Sequence, residues 1–189
     1  MPREDAERWN ERYTYAKSKD FQTPHEFLLE HIDLLPSSGI VLDIAMGVGK
    51  NIPAILNKGL DIIGVDISSV AVRQVHARYP QIKAIIADLT HFYLPSQHFD
   101  LILNFYYLQR DLWIDYRRIL KPGGLLVFES LTMPMQALKP ELKADFLLQE
   151  GELAAAFDDW DILVYREGWN IRDAQCHKSV ASMIARRPS

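Results

Sequence analysis

Two acids and a run of small residues carry the first chemical signal in this sequence. Asp43 sits inside the short apolar run Ile40–Ile44, which breaks into Ala45, Gly47 and Gly49 in the stretch VLDIAMGVGKN. A turn of small residues lets backbone amides come close to a ligand. Asp66 closes the next apolar run, residues 60–65, at about the 20-residue spacing where a second-strand acid can hold both ribose hydroxyls of a nucleoside. A dinucleotide fingerprint needs a third glycine where this chain has Ile52, and it needs no acid at the end of the strand. The Asp43 carboxylate would repel a pyrophosphate and attract a cationic amino-acid group such as that of S-adenosylmethionine (SAM). Two plainer readings stand beside this one: the loop as a structural turn, and Asp66 as a cap for the helix beginning near Ser68 and Ser69.

Further polar and aromatic groups fall where such a ligand would lie. Asp88 ends the run IKAIIAD, where a carboxylate can accept the adenine amino group while Leu89 packs on the ring; a solvated acid is the alternative. Phe105, Tyr106 and Tyr107 follow the run FDLILN. Aromatics at the carboxyl edge of a central strand line the crevice where open α/β sheets bind ligands, and their faces attract a sulfonium. Core packing is the other reading. Near the start, Trp9, Arg12 and Tyr13 occupy neighbouring turns of one helix. Either Trp9 packs on the sheet with Arg12 in solvent, or Arg12 or Tyr13 folds over the methionine end of the cofactor. Histidines 25, 31, 76, 91, 98 and 177 contain no i, i+4 pair, so no metal site is predicted. Candidate bases at the mouth are His177, Glu129 and Tyr106.

The elements that must position these groups follow from periodicity. Helices are predicted around residues 4–13 and 25–35, with Pro24 suited to a first helical position. After the glycine loop, Ile52, Ile55 and Leu56 give helical spacing. Helices at 69–79 and 110–120 alternate with strands at 82–88, 99–104 and 125–129, the last following the turn signature LKPGG. Residues 133–140, with prolines at 134 and 140, read as a loop over the site, followed by a short helix at 150–157. Strands at 160–167 and 176–185 form an antiparallel pair at one edge. This alternation predicts an α/β fold, a doubly wound parallel sheet made mixed by the final pair, with seven strands.

The whole chain bounds its class. At 189 residues and 48% hydrophobic it suits a single domain, read as a helical cap over 1–35 and a core over 36–189. A formal charge of −4 argues against nucleic acid as a partner. The charged start and the lack of any apolar run near about 18 residues argue against a membrane, and predict a soluble, cytoplasmic protein. A lone cysteine, Cys176, excludes an intramolecular disulfide. Nothing in the sequence fixes an oligomeric state.

Seven blocks, WNERY, VLDIAMGVGKN, GVDIS, LILNFYYLQRDL, LKPGGLLVFESLT, LLQEGELAAAF and ASMIARRP, resemble the class I SAM-dependent methyltransferases, in particular the small TehB-like group named for tellurite resistance. The resemblance implies a Rossmann-like sheet in order 3-2-1-4-5-7-6 with strand 7 antiparallel and SAM at the carboxyl ends of strands one to four. Carried over by position, Asp43, Gly47 and Gly49 would take the methionine part, Asp66 the ribose, and Asp88 with Leu89 the adenine. Arg12, Ala45, Ile67, Asn104 and Phe105 would stand beside them. Tyr106, Arg110, Glu129 and His177 would face the acceptor, His177 resembling a histidine that some relatives place near substrate. Lys50 stands where the group usually has arginine, and Met46 where it has a small residue or cysteine. The implied activity is methyl transfer to a small molecule, including a thiol or a chalcogen oxyanion such as tellurite or selenite. SAM binding without turnover, and NAD-linked oxidoreduction, are the alternatives. Residues 1–20 and 133–140 are expected to close over the site once SAM is bound.

Overall fold

The computed structural model describes residues 2–15, 23–170 and 177–189. Helix α1 (Pro2–Tyr15) and the short α2 (Glu26–Glu30) precede β1 (Ile40–Ile44), α3 (Ile52–Asn57), β2 (Asp61–Asp66), α4 (Ser69–Arg78), β3 (Lys83–Ile86) and β4 (Phe99–Phe105). Then come α5 (Leu112–Ile119), β5 (Leu120–Leu131), α6 (Glu152–Ala156), β6 (Asp161–Asn170) and β7 (Lys178–Arg186). The second predicted helix is split: α2 ends at Glu30, and Ile32–Leu34 tightens into a 3₁₀ turn. Pro24 stands outside α2, whose N-cap is His25.

Seven strands form one sheet in the order β3-β2-β1-β4-β5-β7-β6. The first five are parallel, and β7 runs antiparallel between β5 and β6, as the resemblance implies. Strand period two divides the core. Leu42, Ile44, Ile102, Leu126 and Phe128 pack toward Tyr116 of α5 and Leu153 of α6. Val41, Leu101, Leu103 and Val127 pack on the other face, against Phe27, Ile52, Ile55, Val72 and Val75. Burial on both faces explains the continuous apolar runs of the central strands.

Two deviations from the sequence reading matter for the site. Residues 133–140 do not form an open loop: Met133–Ala137 is a 3₁₀ turn whose Met135 is buried, with its sulfur accepting from Ser179 N at 3.1 Å. Thr132 Oγ1 and Ser179 Oγ, 2.6 Å apart, clamp the start of this turn to β7. The turn signature LKPGG lies within the bulged start of β5 rather than ahead of it. Cys176, and the part of the expected lid at residues 16–20, lie outside the described residues. Among the described residues, no helix is long and apolar enough to cross a membrane.

Candidate functional site

The carboxyl edge of the parallel strands holds two neighbouring regions. The first is a crevice around the glycine loop. Asp43 is paired in register between Gly64 of β2 and Leu103 of β4, and is buried. Burial raises its carboxyl to about 8, and nearby Asp66 pushes the same way. Burial thus favours the neutral form of this acid, and a cation beside it would favour the charged form. Asp66 links two elements: Oδ2 accepts from Gly47 N at 2.7 Å and Oδ1 from Ser68 N at 2.8 Å. Desolvation still holds its carboxyl above the usual carboxylate range, with these two amides opposing the shift. A carboxylate offers about four acceptor positions, so both oxygens retain a lone pair for ribose hydroxyls. The two readings of Asp66 are thus compatible, since it organises the start of α4 and keeps acceptor capacity.

The loop is shaped by close approach. Gly47 has φ 55°, and a Cβ added there would stand 2.6 Å from the hydroxyl of Tyr13. Met46 is buried over Gly64, where any side chain would meet its sulfur. Ala45 also takes a left-handed conformation, at φ 50°. Gly49 feeds directly into α3.

Helix α1 lies across this crevice. Asn10 Oδ1 accepts from Ser68 Oγ at 2.8 Å and from Val70 N at 3.1 Å, so it caps α4 from a different helix. Ser68 Oγ in turn accepts from Ala71 N. Tyr13, not Arg12, reaches the glycine loop; the Arg12 guanidinium is 5.2 Å from the centre of the Trp9 ring. Burial and then Asp66 hold the Tyr13 hydroxyl above the ordinary phenol range. Tyr107 is pushed up to about 12 by burial, then by Asp88, Asp5 and Asp66, which sets its ring among the same acids.

Past the loop, Asp88 Oδ1 accepts from Thr90 N and Thr90 Oγ1, and Leu89 is buried. Ile67 is half-buried between Asp66 and Ser68. Asn104 is buried at the end of β4; its Nδ2 donates to Tyr116 Oη at 2.7 Å. Its Oδ1 is one of two buried side-chain polar atoms without a hydrogen-bond partner among the described residues. An orphaned acceptor of this kind marks a place for a donor from outside the chain. A glycine cradle, a buried acid, a ribose-spaced acid and an unpartnered acceptor together fit a nucleoside bearing a cationic amino group.

The second region is a cavity of about 250 Å³, lined by His25, Lys50, Tyr106, Glu129, Arg166 and Lys178 among others. Tyr106 takes a left-handed φ of 59°, held by donating its backbone N–H to Glu129 O and its hydroxyl to Glu129 Oε1, both at 2.7 Å. Glu129 Oε2 accepts from Ser182 Oγ at 2.7 Å, with Arg166 Nη2 3.9 Å away. Arg166 also pairs with Glu30 and lies over Phe27. His25 stacks on Phe105 with ring centres 4.3 Å apart and planes 4° from parallel.

Tyr106 and Glu129 are thus brought together, whereas Arg110 and His177 lie outside this lining. Arg110 donates to Glu152 and to the carbonyls of Asp145 and Leu147, tying the start of α5 to the segment before α6. His177 is exposed immediately before β7. Sequence reasoning missed His25, Asn51 and Lys178 as site residues. His25 carried only the helix-start signal of Pro24, and Lys178 reads as one more polar residue in an edge strand.

Residues 41–124 match the family model described as a methyltransferase domain. A probable S-adenosylmethionine-dependent methyltransferase of Mycolicibacterium smegmatis is 27% identical over 112 residues, covering 56% of this chain and 43% of that protein. A demethylmenaquinone methyltransferase of Tropheryma whipplei is 30% identical over 107 residues, covering 53% and 45%. The chain thus spans less than half the length of these curated relatives. Among solved structures, a putative methyltransferase of Haloferax volcanii, in complex with a methyltransferase activator, superposes with a TM-score of 0.76 at 14% identity, over 96% of this chain and 98% of that one. The chain thus resembles SAM-dependent methyltransferases over residues 41–124 and shares its fold with the solved methyltransferase.

Proposed function

We propose that the protein transfers the methyl group of SAM to a small-molecule acceptor held in the cavity beside the glycine loop. The observation that carries this reading is the shared border of the two regions. Asn104 and Phe105 end β4 in the crevice, Tyr106 follows in the cavity, and the glycine loop runs through Gly47 and Gly49 into Lys50, which lines the cavity. A nucleoside bound over β1 and β2 therefore has its reactive end beside the acceptor space.

SAM supplies a methyl group activated by a positively charged sulfur. The residues of this chain have to orient, match charge and exclude water. Asp43, once ionised, pairs with the amino group. Asp66 keeps the glycine loop and α4 in register while it receives the ribose hydroxyls. Asn104 Oδ1 accepts one further donor. Tyr13 and Tyr107 close the crevice from above, and Tyr106, fixed at both ends by Glu129, forms the wall between donor and acceptor.

The finer reading, a cytoplasmic TehB-like enzyme whose acceptor is a thiol or a chalcogen oxyanion such as tellurite or selenite, is supported by the sequence blocks WNERY and VLDIAMGVGKN. Calorimetry with SAM, its demethylated product and NAD tests the cofactor. Binding of the first two and not the third is expected; NAD binding alone would overturn the proposal. Methyl transfer to thiols, tellurite and selenite, followed with isotopically labelled SAM, then tests the acceptor.

A further inference from the structure

The cavity carries more information than its position. His25 donates its backbone N–H to Asn51 Oδ1 at 3.2 Å, and its ring Nδ1 lies 2.9 Å from the same oxygen. A backbone N–H can only donate, so the Asn51 atom facing His25 is the carbonyl oxygen, and that oxygen can only accept. Nδ1 must therefore carry the ring proton, which leaves Nε2 with its lone pair when the ring is neutral. The tautomer is set by Asn51, the residue that ends the glycine loop.

Around this ring the cavity carries charges of both signs. Lys50, Arg166 and Lys178 line it with Glu26 and Glu129. Glu129 is already matched by two hydroxyl donors and by Arg166. Among the described residues the Lys178 ammonium stands not on a carboxylate but on the Tyr106 ring, 4.4 Å from its centre.

Resting on the methyltransferase reading above, we propose that this cavity takes a small anionic acceptor, with its carboxylate, phosphate or sulfate group held by Lys50 and Lys178 and its methyl-accepting O–H or N–H set against Nε2 of His25. In that step the acceptor's lone pair forms the new bond to the methyl carbon. The methyl–sulfur bond breaks with its electron pair staying on sulfur, and the acceptor's proton passes to His25 Nε2 and on to water. An acceptor that is already a free thiolate would have no use for this base.

The charge pattern makes the arrangement self-adjusting. Burial first, then Lys50 and Lys178, lower His25 to about 4, with the Asn51 bond opposing. An anion that covers the two ammonium groups removes part of that penalty and makes Nε2 a stronger base when the acceptor is in place. Glu26 and Glu129, the other charged groups on the lining beside Arg166, stay constant in this comparison.

The test uses the full chain labelled with ¹⁵N-histidine and inorganic sulfate as the probe. Long-range ¹H–¹⁵N spectra at pH 7 should show His25 neutral, with its proton on Nδ1. Saturating sulfate should raise its protonation midpoint by about 1 pH unit or more. Lys178→Met should abolish that rise while changing calorimetric SAM affinity less than about twofold, well under the tenfold step of 1.4 kcal/mol; Lys50→Met should act in the same direction. A proton on Nε2, an unmoved midpoint, or an equal rise in both variants would overturn the proposal. A sulfate response in a protein that does not bind SAM would uphold the anion site and overturn the methyltransferase reading; SAM binding without a sulfate response would do the reverse.

Discussion

The crevice and the cavity share one edge of one sheet, yet they are built in opposite ways. The crevice is acidic, with Asp43 and Asp66 held above their usual range by burial, and apart from α1 its groups come from one stretch between residues 43 and 107. The cavity carries three cations beside two carboxylates, and its groups come from α2, the glycine loop, the end of β4, β5 and the two strands of the antiparallel edge. The His25–Phe105 stack sits at their boundary. A site for a cationic cofactor can be written into one strand–loop–helix–strand unit, because the acid and the turn that present it are neighbours in sequence. A site for the second reactant adds distant segments to the edge of that unit, meeting it at Lys50, Asn51 and Tyr106.

That contrast can be broken most sharply at Gly47. Gly47→Val places a branched side chain at φ 55°, where Tyr13 Oη already stands within 2.6 Å of a Cβ. It should abolish measurable SAM binding by calorimetry while circular dichroism reports a folded protein; retained binding would detach the cofactor from this loop.

Asp43→Asn separates charge from shape. SAM affinity should fall tenfold or more, since a charge-assisted bond contributes about 1.5–3 kcal/mol. The ligand-free fold should become more stable. Burial raises the folded carboxyl to about 8, far above the usual carboxylate range, so the folded state holds the proton more tightly than the unfolded chain. Native stability therefore declines as pH rises from about 4 to 8, and the Asn variant lacks that decline. Thermal unfolding should show the variant's advantage growing over this interval by about 1.4 kcal/mol per pH unit, to several kcal/mol in all; a constant difference would mean that Asp43 is already ionised.

Asp66→Ala should lower both SAM affinity, about tenfold, and stability, by about 1–3 kcal/mol, because the carboxylate also holds the amides of Gly47 and Ser68. A stability loss with unchanged affinity would leave Asp66 a purely structural group. The smallest effect is expected from Arg110→Ala. Removing its partly exposed ties to Glu152 and two carbonyls should cost about 0.5–1.5 kcal/mol and leave SAM affinity unchanged. A large loss of affinity there would join α5 to the cofactor site and erase the distinction between the regions.

The same contrast explains what could be read from the sequence. The alternation of strands and helices from β1 to β4 follows from continuous apolar runs punctuated by Gly47, Gly49 and Pro80, all local signals, whereas Gly123 lies inside β5 rather than before it. The order of the last two strands came only from the family resemblance, since nothing local says that β7 inserts between β5 and β6. The roof of the crevice was half legible: Trp9, Arg12 and Tyr13 marked the right helix, but a helical turn cannot tell which side chain faces inward, and Tyr13 took the place for which Arg12 was equally eligible. His25 and Asn51 were invisible as a pair because their bond spans 26 residues and rests on no repeating pattern. Residues 133–140 looked like a lid from their two prolines and their place beside the sheet's carboxyl edge, whereas the Ser179 amide and hydroxyl hold Met135 and the neighbouring Thr132 to β7.

Asn10 has a consequence for how the chain is made. Its carbonyl oxygen completes the start of α4 through partners 58 and 60 residues downstream. During synthesis α1 therefore emerges well before it can find its seat, because neither Ser68 nor Val70 exists until β1, the glycine loop and β2 have left the ribosome. Until then its apolar side has only itself and solvent, which suits its half-charged sequence PREDAERWNERYTY. A helix that must wait is best made soluble while it waits.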